Sequence, residues 1–244
     1  MKNFIRQYIK SNNNEIEVSL GKIKNLISIG EGGNGLVYKG VLYNIPVAIK
    51  FLAEKGSSKL ERFKAEFFNI QTLKEKIGIA DYFDFDCVDI EGQKISIIIM
   101  RLYECSLKSF VSKKTITYEF IKKSFFSLLK TIDTYNKNGI IHRDIKPENI
   151  LVDGNGNLVL SDFGIAYFDS ERYELKAKTE NGDRLANYTF SAPEQFDKNV
   201  EPHITMDIYA FGQIIQWLVT EKTHKGTGRD PIYSFINEEK IYIY

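Results

Sequence analysis

The 244-residue chain has few cysteines, no long apolar run and no excess charge of either sign. Its two cysteines, Cys87 and Cys105, are too few for a disulfide framework and favour a reducing compartment, so a cytoplasmic location is expected. The apolar run at residues 95–100 is too short to cross a bilayer. Because 33 basic residues balance 32 acidic ones, neither nucleic acid nor an anionic membrane is expected as a partner.

The first residues of the chain have a helical pattern. Phe4, Ile5, Tyr8 and Ile9 recur on one face of a helix. This face fits a short helix docked on the body of the protein better than a helix lying on a membrane surface. We therefore treat residues 1–20 as an N-terminal extension of the folded domain.

Strand patterns dominate residues 21–100, with one helical interruption. The helix is predicted from residue 57 to about residue 75, with Ser57 and Ser58 able to cap its start. The predicted strands lie at residues 23–29, 36–42, 45–51, 82–90 and 94–100. The region is expected to form a small, β-rich lobe with one main helix, including a hinge, over residues 21–103.

Beyond Arg101 the pattern becomes mainly helical. Long buried helices are predicted at residues 118–138 and 203–219, and two short strands at residues 150–152 and 158–160. These elements predict a larger, mainly α-helical lobe over residues 104–244. The whole chain, residues 1–244, is therefore expected to be a single α+β domain of two lobes.

The most informative stretch is the loop at residues 142–149, which reads His-Arg-Asp-Ile-Lys-Pro-Glu-Asn. Asp144 can accept a proton from a hydroxyl, Lys146 can neutralise charge on a phosphate, and Asn149 can offer an amide oxygen to Mg²⁺. Apolar residues on both sides predict a tight loop supported by buried strands. The alternative is a solvated charged turn, which rarely matches the whole stretch.

A glycine-rich turn at residues 30–35 follows the first predicted strand and reads Gly-Glu-Gly-Gly-Asn-Gly. Because Leu36 and Val37 continue as strand rather than helix, this is a hairpin turn and not the dinucleotide-binding loop that shares its glycines. Its backbone amides can approach phosphates without Cβ clashes. An ordinary glycine-rich turn is the alternative, and the next strand decides between the two.

That next strand carries Lys50, which would be poorly solvated at the end of an apolar run unless it were paired. Two glutamates on the following helix are candidate partners. Glu66 lies among the apolar positions of that helix and therefore faces inward, whereas Glu61 fits a solvated face. We expect a Lys50–Glu66 ion pair, with Lys50 reaching phosphates and Ala48 leaving room for a flat ring.

In their order along the chain, these motifs resemble the signature set of eukaryotic-type protein kinases, from Gly30 to Asp207. The resemblance implies the bilobal kinase fold, ATP and Mg²⁺ as cofactors, and a protein substrate. Met100 then resembles the gatekeeper of the adenine pocket, followed by a hinge at residues 101–103. The implied ATP-binding residues are Ile29, Gly30, Glu31, Gly32, Gly33, Asn34, Gly35, Leu36, Val37, Ala48, Lys50, Glu66, Met100, Leu102 and Leu151.

The same resemblance implies the roles of the catalytic residues. Asp144 is the implied catalytic base, with Lys146 beside it, and Asn149 and Asp162 are the implied Mg²⁺ ligands. Lys146, two residues after Asp144, is typical of kinases that phosphorylate serine and threonine. Asp207 resembles the aspartate that holds the backbone of the loop bearing Asp144. Its alternative is an aspartate favoured by the dipole at a helix N-terminus.

The sequence Ala-Pro-Glu at residues 192–194 resembles the end of a kinase activation segment that begins at Asp162. Thr179 is the favoured phosphorylation site within it, with Arg143 available to pair with the phosphate. Asn187 stands where many serine/threonine kinases have a threonine that contacts the base, and its amide is able to make that contact instead.

The chain departs from the family after its last predicted helix. Only about 25 residues follow, where the family normally adds several helices and an arginine that pairs with Glu194. Arg229 lies too early to be that arginine. We therefore expect a shortened C-terminal lobe whose exposed apolar surface is covered by a partner or by a missing segment.

The expected function is ATP- and Mg²⁺-dependent phosphoryl transfer to serine and threonine hydroxyls of proteins, including the protein itself. Two alternatives stay open. A small-molecule kinase of the aminoglycoside type shares the fold and an Asp/Asn pair, but it usually lacks the Ala-Pro-Glu motif. A non-catalytic binding module that uses the kinase fold as a scaffold fits the short C-terminal lobe.

Overall fold

The structure, a computed structural model, describes residues 1–32, 35–54, 56–175, 189–197 and 199–222. These residues form two compact units. The first unit consists of Met1–Lys74 and Ala80–Tyr103, with the segment that begins at Tyr173. The second unit consists of Glu75–Ile79, Glu104–Arg172 and the described residues from Thr189 onward.

The first unit is built on one sheet of six antiparallel strands. They are β1 (Ile16–Val18), β2 (Gly21–Glu31), β3 (Gly35–Leu42), β4 (Ile45–Leu52), β5 (Tyr82–Ile90) and β6 (Gln93–Arg101). Their order across the sheet is β1-β2-β3-β4-β6-β5. Every strand predicted for this region is present, and only β1 was missed, because three residues are too few for alternation to show.

One face of this sheet is covered by the N-terminal helix α1 (Lys2–Ser11). Ile5 and Ile9, 0% and 2% exposed, belong to the same hydrophobic cluster as Ile49 and Phe51 of β4. The predicted docking of this helix on the body of the protein is therefore confirmed. The membrane-surface alternative is wrong, because it needs the apolar face that the core occupies.

The other face of β4 carries Ala48 and Lys50, because successive side chains of a strand point to opposite sides. Helix α2 (Ser57–Gln71) reaches this side, where Glu66 contacts Lys50. The predicted serine cap of α2 is wrong. Gly56 takes the capping position with a φ of 142°, a conformation that favours glycine, and no side chain caps the helix.

The second unit contains the helices α3 (Leu107–Val111), α4 (Tyr118–Asn136) and α5 (Ile204–Thr220), and a short 3₁₀ helix at Pro193–Phe196. Its strands are β7 (Cys105–Ser106), β8 (Ile140–Ile141), β9 (Ile150–Val152), β10 (Leu158–Leu160) and β11 (Tyr167–Phe168). They form one sheet in the order β10-β9-β7 and a separate pair of β8 with β11. Sequence periodicity missed α3, β7 and β11, which are too short to show a period. The buried strand expected directly before the 142–149 loop is present as β8.

Helix α4 begins where the sequence predicted, because Thr117 caps it by accepting a hydrogen bond from the amide of Phe120. Leu128 and Ile132 form its buried stripe, and the buried Tyr135 continues that stripe. Helix α5 packs against α4, with the rings of Phe125 and Phe211 at 5.1 Å between centroids. The two helices support the 142–149 loop, because Tyr135 of α4 bonds to Asp207 of α5, and Asp207 bonds to the amide of His142.

The predicted α+β fold class is confirmed, with a sheet-based first unit and a second unit that is mainly helical. Within the part of the chain that the structure describes, no helix combines the length and the apolarity needed to span a membrane.

Candidate active site

Lys50 and Glu66 form the central contact of the first unit. The Lys50 Nζ lies 2.9 Å and 2.8 Å from the two carboxylate oxygens of Glu66. Glu66 is 1% exposed, and the hydroxyl of Tyr82 donates a further hydrogen bond to it at 3.2 Å. Lys50 therefore pairs with Glu66, as the helical pattern indicated, and its ammonium group is held at a fixed place on the sheet.

The glycine-rich turn joins β2 to β3, and the structure describes its residues Gly30, Glu31, Gly32 and Gly35. A Cβ at Gly35 would lie 2.1 Å from the carbonyl oxygen of Phe51, so strand packing itself requires glycine there. Among the described residues, a Cβ at Gly32 would meet nothing within 4 Å. Packing against this part of the chain therefore does not explain the glycine at position 32.

The apolar residues predicted around the adenine ring differ in burial. Ala48 and Met100 are paired across β4 and β6 and are buried. Val37 and Leu102 are half-buried, and Ile29 is 49% exposed. The pairing of Ala48 with Met100 places a small residue beside a long one on the same face as Lys50. The predicted residue Leu151 belongs to the second unit, on β9.

In the second unit, the 142–149 loop brings together three of the predicted residues. The Lys146 Nζ donates to Asp144 Oδ2 at 2.6 Å, and the Asn149 Nδ2 donates to the same oxygen at 2.9 Å. The Asn149 Nδ2 also donates to the backbone carbonyl of Asp144, at 2.9 Å. The loop is therefore an ordered cluster, and the alternative of a solvated charged turn is wrong.

The carboxyl group of Asp144 has an unusual environment for an aspartate. Burial raises its pKa to about 6, against the opposing effect of Lys146. The negative charge of Asp162 adds to this increase, which places Asp162 close to Asp144. The contacts from Lys146 and Asn149 fall on Oδ2 of Asp144 rather than on Oδ1.

The donor set near Asp144 fits Mg²⁺. The amide nitrogen of Asn149 is used by Asp144, so its side-chain oxygen is the atom left for a hard cation. Asp162 adopts a φ of 65°, which is an uncommon value for a residue other than glycine. The chain therefore changes direction at Asp162, shortly after the end of β10. Mg²⁺ usually takes few ligands from a protein and completes its octahedral shell with substrate phosphates and waters.

Asp207 on α5 fixes the backbone of the 142–149 loop. Its Oδ2 accepts hydrogen bonds from the amide of His142 at 2.7 Å and from the hydroxyl of Tyr135 at 2.8 Å. Its Oδ1 accepts the amide of Arg143 at 2.8 Å. These bonds confirm the backbone-holding role predicted for Asp207, which also lies in the first turn of its helix.

Arg143 explains why such an anchor is needed. Its φ is 69°, a left-handed value that costs energy for a side chain with a Cβ. Both polar groups of its backbone are bonded, the amide to Asp207 and the carbonyl oxygen to Gln195 Nε2 at 2.6 Å. The strained turn that presents Asp144 is therefore held from two sides.

Sequence reasoning missed several supporting residues of this loop. His142 is fully buried; its Nδ1 accepts the amide of Asp144 at 3.2 Å, and its Nε2 lies 3.1 Å from the carbonyl oxygen of Ser161. Phe163 packs edge-on against His142, with 4.5 Å between centroids. Tyr135 had a detectable signal, a hydroxyl within the apolar stripe of α4, whereas Gln195 had none.

Several predicted residues lie outside the described part of the chain. They are Gly33 and Asn34 of the glycine-rich turn, Thr179 and Asn187 of the activation segment, and Arg229.

The fold and the two sets of residues define the class of proteins to which the chain belongs, that of the protein kinases. Residues 23–242 match the family model of the protein kinase domain, so the chain belongs to this family. The expected membership in the protein kinase superfamily is thereby confirmed.

Three relatives illustrate the similarity. A probable serine/threonine-protein kinase of Dictyostelium discoideum is 33% identical over 223 residues, which cover 85% of this chain and 32% of the relative. The probable serine/threonine-protein kinase PknB of Lactococcus lactis is 30% identical over 83% of this chain and 33% of its own length. Cysteine-rich receptor-like protein kinase 11 of Arabidopsis thaliana is 28% identical over an alignment that covers 86% of this chain and 32% of the relative. The chain spans about a third of the length of these curated relatives.

Proposed function

We propose that this protein transfers the γ-phosphoryl group of ATP, with Mg²⁺, to serine and threonine hydroxyls of proteins, including its own. The observation that carries the proposal is the hydrogen-bonded cluster of Asp144, Lys146 and Asn149 on a loop anchored by Asp207. Phosphoryl transfer needs positioning and charge stabilisation more than covalent help from the protein.

Each residue of the cluster has a task that its geometry supports. Asp144 accepts the proton of the attacking hydroxyl at Oδ1, while Lys146 and Asn149 hold Oδ2. Lys146 adds a positive charge beside the reacting oxygens. Asn149 and Asp162 would hold Mg²⁺, which would offset the negative charge of the phosphates.

In the first unit, Lys50 binds the phosphates with its ammonium group while Glu66 keeps that group in place. The backbone of the glycine-rich turn covers the phosphates, and Ala48 and Met100 contact the adenine ring. Lys146 and the serine/threonine kinase names of two relatives support hydroxyl acceptors of the serine and threonine type.

The test is incorporation of radiolabelled phosphate from ATP with Mg²⁺ into the protein itself and into a panel of peptides. Asp144→Asn keeps the shape of the base and removes its ability to accept a proton, so the rate should fall by roughly 10²- to 10⁴-fold. Asp133→Asn, on the exposed side of α4, is the matched control and should leave the rate unchanged. Equal incorporation by the wild type and Asp144→Asn, or labelling on tyrosine alone, would contradict the proposal.

A further inference from the structure

The helix α1 lies outside the matched residues 23–242 and contacts the glycine-rich turn. Lys2 and Arg6 are one helical turn apart and share a face of α1. Both reach Glu31, the last residue of β2, and they use different oxygens of its carboxylate. Two basic side chains of a separate element thus converge on one acidic residue of the turn.

The contacts of Lys2 extend to the backbone of the turn. Its Nζ lies 3.2 Å from Glu31 Oε1 and donates to the carbonyl oxygen of Gly32 at 2.7 Å. The amide of Gly32 donates in turn to the carbonyl oxygen of Gly35 at 3.1 Å. Lys2 therefore holds Gly32, whose lack of a side chain is not explained by packing against the described residues.

The second basic residue, Arg6, is itself held in place. Its Nη2 lies 2.5 Å from Glu31 Oε2, and its Nη1 donates to Asn3 Oδ1 at 3.0 Å. The hydrogen bonds from Lys2 and Arg6 lower the pKa of Glu31, in that order of strength. The two side chains that hold the turn therefore also favour the charged form of Glu31.

The anchoring of α1 does not need these charges. Ile5 and Ile9 fix the helix in the core of the first unit, so that Lys2 and Arg6 are presented from a rigid base. The charged side chains are partly exposed, at 27% for Lys2, 39% for Arg6 and 49% for Glu31. Exposed pairs contribute little to stability, so their effect is expected on the turn they hold.

We infer that Lys2 and Arg6 are positioning residues for the nucleotide, which act by fixing Glu31 and the carbonyl group of Gly32. A glycine-rich turn is free to adopt many conformations, and holding it in one of them lowers the ordering cost of binding phosphates. The inference rests on the proposed binding of ATP. It assigns to α1 a part in that binding, beyond its contribution to the core.

The first experiment measures the turn without any nucleotide. Amide hydrogen exchange of the full chain is compared between the wild type and the double variant Lys2→Gln/Arg6→Gln. Exchange in the peptide that contains Glu31 and Gly32 should become faster, while the peptides of β4 and α2 stay unchanged. Lys10→Gln, on the same helix and exposed, is the matched control. Unchanged exchange in the double variant overturns the inference.

The second experiment measures phosphoryl transfer at varied ATP concentration. The double variant should raise the KM for ATP by roughly three- to tenfold, with a smaller change in kcat and none in the KM for the peptide substrate. Lys2→Arg/Arg6→Lys, which keeps both charges, should restore the KM for ATP. Glu31→Gln should also raise the KM for ATP. Combining Glu31→Gln with the double variant should raise this KM little further, because all three side chains act through the same contacts.

The outcomes separate the inference from the proposed function. Wild-type turnover with the same KM for ATP in the double variant overturns the inference and leaves the proposed function intact. Absence of turnover in the wild type overturns the proposed function and, with it, the assignment to nucleotide positioning. A general loss of stability in the double variant, measured by urea unfolding, would also overturn the inference. A structural role in the core predicts that loss, whereas a positioning role does not.

Discussion

Each of the two units contains a buried carboxylate that accepts several hydrogen bonds, and the two carboxylates are compensated in different ways. Glu66 and Asp207 are both 1% exposed, and each accepts a hydrogen bond from a tyrosine hydroxyl. Glu66 is compensated by the ammonium group of Lys50, whereas Asp207 accepts the backbone amides of His142 and Arg143.

The difference has a physical consequence. An ion pair between two side chains can separate by rotation about single bonds, without any change in the backbone. The Asp207 carboxylate instead accepts two backbone amides of a strained turn, so its loss leaves backbone groups of that turn unpaired in the interior. We conclude that Asp207 stabilises the conformation of the 142–149 loop, whereas Glu66 fixes the position of the Lys50 ammonium group. Mutations should therefore separate the two roles.

The largest effect is expected for Asp207→Ala. It leaves two backbone amides and one hydroxyl in the interior without their acceptor, at a cost of about 3–5 kcal/mol in the free energy of unfolding. Phosphoryl transfer should be lost as well, because the turn that presents Asp144 relaxes. Urea unfolding followed by circular dichroism measures the first effect. Asp133→Ala, which removes an exposed pair with Lys137, should cost less than about 0.5 kcal/mol.

An intermediate effect on stability is expected for Lys50→Met, which keeps the length of the side chain and removes its charge. The loss should be about 2 kcal/mol, less than for a fully buried pair, because the Lys50 side chain is 18% exposed. Activity should fall by orders of magnitude although the 142–149 loop is unchanged. A loss of stability as large as that of Asp207→Ala would contradict the distinction between the two carboxylates.

The smallest effect is expected for the tyrosines, whose hydroxyls make the corresponding contact in each unit. Tyr135→Phe removes one hydrogen bond of 2.8 Å while Asp207 keeps both amides, so the loss should be about 1 kcal/mol. Tyr82→Phe removes a longer bond of 3.2 Å and should cost less. Thermal unfolding of the two variants side by side compares these losses of stability. A larger loss for Tyr82→Phe than for Tyr135→Phe would contradict the prediction.

Much of the fold followed from local patterns. Strand-like runs bounded by turns predicted β2 to β6, and the apolar stripe of α4 predicted a helix that Thr117 starts. The cap of α2 was not predictable in this way. Ser57 and Ser58 have the composition of a cap, but Gly56 has the backbone freedom that the position required.

The candidate site shows the same limit. The residues of the 142–149 loop could be identified from sequence because they are contiguous, and Lys50 and Glu66 because one helix face restricts the choice of partner. The supports from Tyr135 and Gln195 depend on contacts across 72 and 52 residues of chain. No local pattern encodes which distant side chain meets a given carboxylate or backbone carbonyl group.

By itself, the sequence determined which chemical groups are available, the order of the motifs and the fold class, because these depend on residue type and on short-range periodicity. Only the tertiary structure decided that α1 reaches the glycine-rich turn through Lys2 and Arg6, and that a strained turn at Arg143 is held by Asp207. The reason is that such contacts arise from the packing of elements far apart in the chain, and a local sequence pattern does not specify how those elements pack in the core.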